Sequence, residues 1–226
     1  MVKLGSLQDC IMTSTTTAKG LAEFIGTLFL TLTIFTAAVA GSAGAFAPVA
    51  IGMMLMVMVY AVGHISGAHF NPAVTIALFI KGDCSKDDAP VYIGAQVVAG
   101  VVGGLLGLHV LTGAPEITAQ EFGDTTVAVL AAELLFTFAL MYVILNVATE
   151  QDGNPFYGAA IGFTVMAGAF TVGAISLGSF NPAVTGMLMV TGKMAIADCW
   201  MHLLPQVAGA VAAVYAHSAT MATSEA

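Results

Sequence analysis

The chain contains no arginine. Its 226 residues carry five lysines against thirteen Asp and Glu, and charged residues make up only 8% of the total, where soluble domains carry about a quarter. So little charge cannot cover a water-facing surface, and without a basic patch a nucleic-acid partner is excluded. Cysteine is scarce as well. Cys10, Cys84 and Cys199 lie far apart, with no metal-ligand or redox spacing, and read as free thiols. No Ser-His-Asp set, phosphate loop or carboxylate dyad falls in a plausible polar cleft, which argues against an enzyme and leaves no cofactor to place. His64 and His69 are five residues apart, not the i, i+4 spacing of helical ligands, so no metal site is expected there either.

What is present is apolar: 58% of the residues are hydrophobic and the mean hydropathy is +0.95. Lipid is therefore the expected solvent. Six stretches, near 18–40, 48–66, 90–112, 125–148, 157–176 and 196–218, approach the 20 or so helical residues that a bilayer requires. Two shorter apolar runs, 71–80 and 181–190, cannot span. Backbone at membrane depth must bond to itself or face protein or water, so these read as re-entrant half-helices. The 25 glycines suit close helix approach, and Gly100-x-x-x-Gly104 and Gly103-x-x-x-Gly107 place pairs of them on single helical faces. Met53 to Met58 reads as lipid-facing or interhelical packing, not a cofactor pocket. Lys3, Lys19, Lys81 and Lys86 fall on one side of a six-span chain, which puts both termini in the cytoplasm.

The chain also repeats itself. Gly63 to Thr75 returns as Gly173 to Thr185 with nine of thirteen positions identical, Asn181 follows Asn71 by 110 residues, and Glu133 follows Glu23 by the same 110. This is a tandem duplication. Each copy holds three spans, an odd number, so the second enters the membrane from the opposite side. Inverted repeats place a functional site at their interface near the midplane. An N-terminal apolar stretch ending in Ala38-Val39-Ala40 has the look of a secretory signal, but Glu23 belongs to the repeat and keeps the first span within the fold. The expected organisation is a tail over 1–17, a single domain over 18–218 with repeats at about 18–112 and 125–218, and a tail over 219–226.

Pro72 and Pro182 suit the first turn of a helix, where a missing N–H costs nothing. Asn71 and Asn181 are good N-caps, and their amides would face each other where the half-helices converge. Each N-terminus carries roughly half a positive charge, which repels cations from the centre.

Two Asn-Pro-Ala motifs, Asn71-Pro72-Ala73 and Asn181-Pro182-Ala183, on inverted half-helices within six spans resemble the aquaporin or major intrinsic protein family, over about Ala18 to Tyr215. The resemblance implies an all-α membrane channel of six helices and two half-helices. It implies passive conduction of water or small neutral solutes, and a homotetramer with one pore per subunit. It also implies that the Asn71 and Asn181 amides donate to passing water, that Glu23 and Glu133 pin the loops before the half-helices, and that His69 faces a vestibule, where its ring could confer pH sensitivity. His64 reads as a packed or hydrogen-bonded histidine. Most relatives follow the second motif with an arginine, where this chain has Val184. The other constriction positions fall on Ile51, Ala169 and Gly178, giving an apolar and fairly wide ring. A non-water solute such as glycerol, urea, ammonia or hydrogen peroxide, a vestigial pore in a junction protein, and a weakly selective ion channel stay open as alternatives.

Overall fold

A computed structural model describes residues 14–151 and 153–222. Cys10, Lys3 and most of the expected N-terminal tail, like the last residues of the C-terminal one, lie outside them. Among the described residues eight α-helices follow in order: α1 Thr16–Ile34, α2 Ala47–Ser66, α3 Pro72–Lys81, α4 Asp88–Leu105, α5 Thr126–Ile144, α6 Tyr157–Ser176, α7 Pro182–Val190 and α8 Trp200–Ala222. Short π-helical turns at Phe35–Val39, Leu106–Leu111 and Leu145–Glu150 extend α1, α4 and α5. With these extensions six helices among the described residues are long and apolar enough to cross a membrane.

The ends of the helices follow from local chemistry. The Thr15 side chain caps α1 by accepting from the Ala18 N–H at 3.2 Å. Asn71 and Asn181 cap α3 and α7 in the same way, each accepting at Oδ1 from the N–H two residues on, at 2.9 Å, with proline next in line. Gly67 stops α2 in the left-handed region at φ 86°, and Leu177, its counterpart in the second repeat, does so at φ 66° with a full side chain. Pro205 lies inside α8, which membrane helices tolerate when neighbours satisfy the freed carbonyl.

The outside of the bundle is apolar and the inside holds the polar groups. Leu21, Leu135, Phe163, Phe170 and Leu204 are exposed, whereas Glu23, Glu133, Gln96, Gln206, Thr75 and Thr185 are fully buried. This inverts the usual order of a water-soluble protein. Within each repeat α1 packs on α4 and α5 on α8. The half-helices do otherwise: α3 lies chiefly along α8, and α7 chiefly along α4, so each is seated on the other repeat.

Glycine makes these contacts close. A Cβ on Gly100 would sit 2.5 Å from the Ala183 carbonyl oxygen and one on Gly104 2.8 Å from Met187, both on α7. One turn around the same helix, a Cβ on Gly103 would strike Thr31 of α1 at 2.2 Å and one on Gly107 would strike Phe35 at 2.5 Å. The two interleaved small-residue motifs of α4 therefore have separate partners, the second half-helix and the first span. Where α2 crosses α6, the backbones of Gly52 and Gly162 meet with no room for a side chain on either.

Gly100→Val is expected to push α7 off its seat and lower the apparent unfolding midpoint in detergent by about 5 °C or more, the effect of roughly 2 kcal/mol of overpacking. Gly94→Ala, on the open side of the same helix where a Cβ meets nothing, should leave the midpoint unchanged in the same thermal scan.

Candidate functional site

The two half-helices converge N-terminus to N-terminus, and the contact between them is reciprocal. Asn71 Nδ2 donates to the Phe180 carbonyl at 2.8 Å, and Asn181 Nδ2 donates to the Phe70 carbonyl at 2.8 Å. A primary amide has two N–H donors. One on each asparagine is spent holding the repeats together, and one is left at a wall of the cavity that both residues line.

The chain before each half-helix forms no regular secondary structure, and two of its N–H groups in each repeat are claimed by a carboxylate. Glu23 Oε1 accepts from Ser66 Oγ at 2.6 Å and from the His69 N–H at 2.9 Å, while its Oε2 accepts from the Phe70 N–H at 2.7 Å and from Gln96 Nε2 at 2.8 Å. Glu133 does the same for the second repeat: Ser176 Oγ at 2.6 Å, the Ser179 N–H at 3.1 Å, the Phe180 N–H at 2.8 Å and Gln206 Nε2 at 2.8 Å. These bonds hold Ala68 at φ 53°, Phe70 at φ 49° and Phe180 at φ 49°, left-handed conformations that non-glycine residues take only under constraint.

Several members of this network escaped the reading of the sequence. Gln96 and Gln206, which bond the glutamates and also reach Thr75 and Thr185 at 3.0 and 3.1 Å, are themselves 110 residues apart, so extending the repeat beyond the motif finds them. Tyr92 Oη donates to the Ser66 carbonyl at 2.7 Å, and at the matching place His202 Nε2 lies 2.7 Å from the Ser176 carbonyl. Here the repeat keeps the bond and changes the residue, which identity alone does not reveal.

A cavity of about 320 Å³ runs through the centre of the bundle. Asn71, Asn181 and His69 line it, and so do Ile51, Ala169, Gly178 and Val184. Gly178 and Ala169 are near neighbours, since a Cβ on the former would meet the Cα of the latter at 3.5 Å. Ala73, Ala183 and Pro72 are buried behind it in the half-helices, and Pro182 opens α7. Much of the remaining wall is aliphatic, including Leu30, Ile34, Leu55, Leu140, Ile161 and Leu188. His69 is half-buried, with Nδ1 3.1 Å from Thr75 Oγ1 and its ring edge-on to Tyr92 at 4.9 Å. His64, expected to be packed, is instead exposed on α2, because its helical face turns away from the bundle.

Among the described residues no group of His, Cys, Asp and Glu is arranged to hold a metal ion. Cys84 and Cys199 are free. Burial pushes the Cys84 thiol up to about 11, with the carboxylates of Asp88 and Glu23 adding to the shift, so it is a poor nucleophile near neutral pH.

Comparison with known proteins agrees with this geometry. The family model for the major intrinsic protein family matches residues 10–170 and 151–225. The chain belongs to that family. It is 34% identical to the putative aquaporin NIP4-1 of Arabidopsis thaliana over 231 residues, covering 95% of this chain and 80% of that protein. It is 39% identical to aquaporin NIP1-3 of Oryza sativa over 214 residues, covering 88% and 72%. Among solved structures, the aquaglyceroporin from Plasmodium falciparum shares the fold with a TM-score of 0.73 at 22% identity, covering 92% of this chain and 97% of that one. As a major intrinsic protein, the chain is an integral multi-pass membrane protein and a passive channel for water or small neutral solutes, not an enzyme.

Glu133→Ala is expected to strand the Ser179 and Phe180 N–H groups and the Ser176 hydroxyl, costing roughly 3 kcal/mol or more at about 1–3 kcal/mol for each buried donor left unpaired. Glu133→Gln should cost nearly as much, because its amide turns a donor toward donors. Both losses are read as a fall in the monodisperse fraction on size exclusion and in the thermal midpoint.

Proposed function

We propose that this channel passes water together with small uncharged solutes, and that its constriction sorts them by size and by how much hydration they must give up. The observation that carries the reading is Val184, which borders the same cavity as Ile51, Ala169 and Gly178 at the position where the family resemblance leads one to expect an arginine. An apolar ring offers little to replace the hydrogen bonds of a passing solute, so each stripped polar group raises the barrier. Ammonia and hydrogen peroxide are then favoured over urea, and urea over glycerol, although width admits all of them. The names of the curated relatives, aquaporins, favour water as one permeant.

In this reading the free N–H groups of Asn71 and Asn181, inside the two Asn-Pro-Ala motifs, orient permeants at mid-cavity, and the convergent helix N-termini repel cations there. His69 forms a polar wall of one vestibule, and Glu23 and Glu133 are structural. Both described ends lie on one face of the bundle together with Lys19, Lys81 and Lys86, which supports cytoplasmic termini. A homotetramer is part of this reading. Light scattering with multi-angle detection on the detergent-solubilised protein, corrected for bound detergent, is expected to give four chains per particle.

Stopped-flow light scattering on proteoliposomes tests the permeants. Water and ammonia flux should both exceed empty liposomes, with glycerol slowest. Ala169→Leu, which narrows the ring, should cut urea and glycerol entry at least about fivefold while reducing water less. Water flux with no solute entry would show that the apolar ring still selects for water, and would overturn the proposal; no flux of any kind would favour a structural role.

A further inference from the structure

The ionisable side chains bordering the cavity are His69 and Lys193. They belong to opposite ends. Taking the face where α1 begins as proximal, α2 descends to it and leads into His69, whereas Lys193 follows the outward end of α7 and shares the distal mouth with Ala38, Val39 and Leu177.

Lys193 is held in place. Its Nζ donates to the Thr118 carbonyl at 3.1 Å, and its own carbonyl accepts from the Gln120 N–H at 2.8 Å. Gln120 also forms an isolated bridge with Met194. The loop between α4 and α5 is thus laid alongside the chain that leaves α7, with the ammonium tethered to a neutral oxygen. The other tethered lysines differ: Lys19 is paired with Asp88 at 2.8 Å, and Lys81 with Asp83 at 2.7 Å and Glu150 at 3.5 Å. Among the described residues Lys193 has no carboxylate within ion-pair distance. Glu116, Glu121, Asp124 and Asp198, all on the distal side, are absent from the cavity wall.

The position matters because α7 ends just before it. A helix C-terminus carries roughly half a negative charge, which would draw cations to the distal mouth. On the proximal side Lys81 closes α3 but is cancelled by its two carboxylates. We propose that Lys193 makes the distal mouth positive and so turns cations away before they reach the apolar ring, a charge placed on the loop behind the half-helix instead of at Val184. This rests on the cavity being the conducting path.

The test measures proton and sodium leak into proteoliposomes under an imposed potential, with water flux followed on the same preparation. Lys193→Gln should raise the cation leak about fivefold or more, Lys193→Glu should raise it further, and Lys193→Arg should keep it at the wild-type level, with water flux within about twofold throughout. In unmodified protein the proton leak at a fixed gradient should rise between about 0.01 M and 1 M salt, as the Debye length falls from about 30 to 3 Å. Unchanged leak in both the Gln and Glu variants, or no salt effect on the wild type, overturns the proposal. So does a loss of water flux in Lys193→Gln that Lys193→Arg also shows, since that marks a packing role. A wild type that conducts neither water nor solute defeats the conducting-path reading itself, a result distinct from a conducting protein whose leak ignores Lys193.

Discussion

Everything at the centre of this protein depends on satisfying a few buried backbone N–H groups where there is no regular secondary structure to do it. The chain turns at Gly67–Phe70 and again at Leu177–Phe180 in the middle of an apolar bundle, and in each case a glutamate from the first helix of the same repeat accepts from two of the N–H groups while a serine hydroxyl, Ser66 or Ser176, accepts from a third. An ionisable residue in an apolar span costs about 2.5–3.5 kcal/mol at the helix centre, and here four donors surround Glu23 and five surround Glu133. With the loops fixed, the Phe70 and Phe180 carbonyls face the opposing asparagines, and the half-helices are locked end to end.

The two halves reach this result with different residues where the environment differs. Phe70 packs into the space left by Gly26, while Phe180 stacks on Phe136, the residue 110 positions after Gly26, with rings 5.5 Å apart. Tyr92 and His202 serve the same carbonyl in the two halves, and His69 and Ser179 occupy equivalent places in the two loops. Duplication preserved the hydrogen-bond pattern more faithfully than the side chains, because the pattern is what the buried backbone demands.

Much of this was legible in advance. The six spans and two half-helices could be located to within a few residues by length and hydropathy alone, since a bilayer sets the length. The convergent asparagines followed from the 110-residue repeat with proline behind each. Other features were hidden because they depend on which surfaces meet. Periodicity shows that Gly100 and Gly104 share a face, but not that α7 is what fills it. Composition shows an asparagine amide, but not that half of it is consumed by a carbonyl of the other repeat. Lys193 reads as an ordinary loop lysine until the chain between α4 and α5 is seen folded against it.

The exchange of half-helices between repeats bears on how the chain is made. Synthesis proceeds from the N-terminus, so α3 leaves the ribosome long before α8, the surface it finally packs against. The second half-helix has the easier passage, because α4 is already in place to receive it. The first must therefore wait with its short apolar length only partly accommodated, and α8 is the helix that closes the membrane interior of the first half. A ribosome stalled before α8 would hold a chain with most of its spans present and its first re-entrant segment still unhoused.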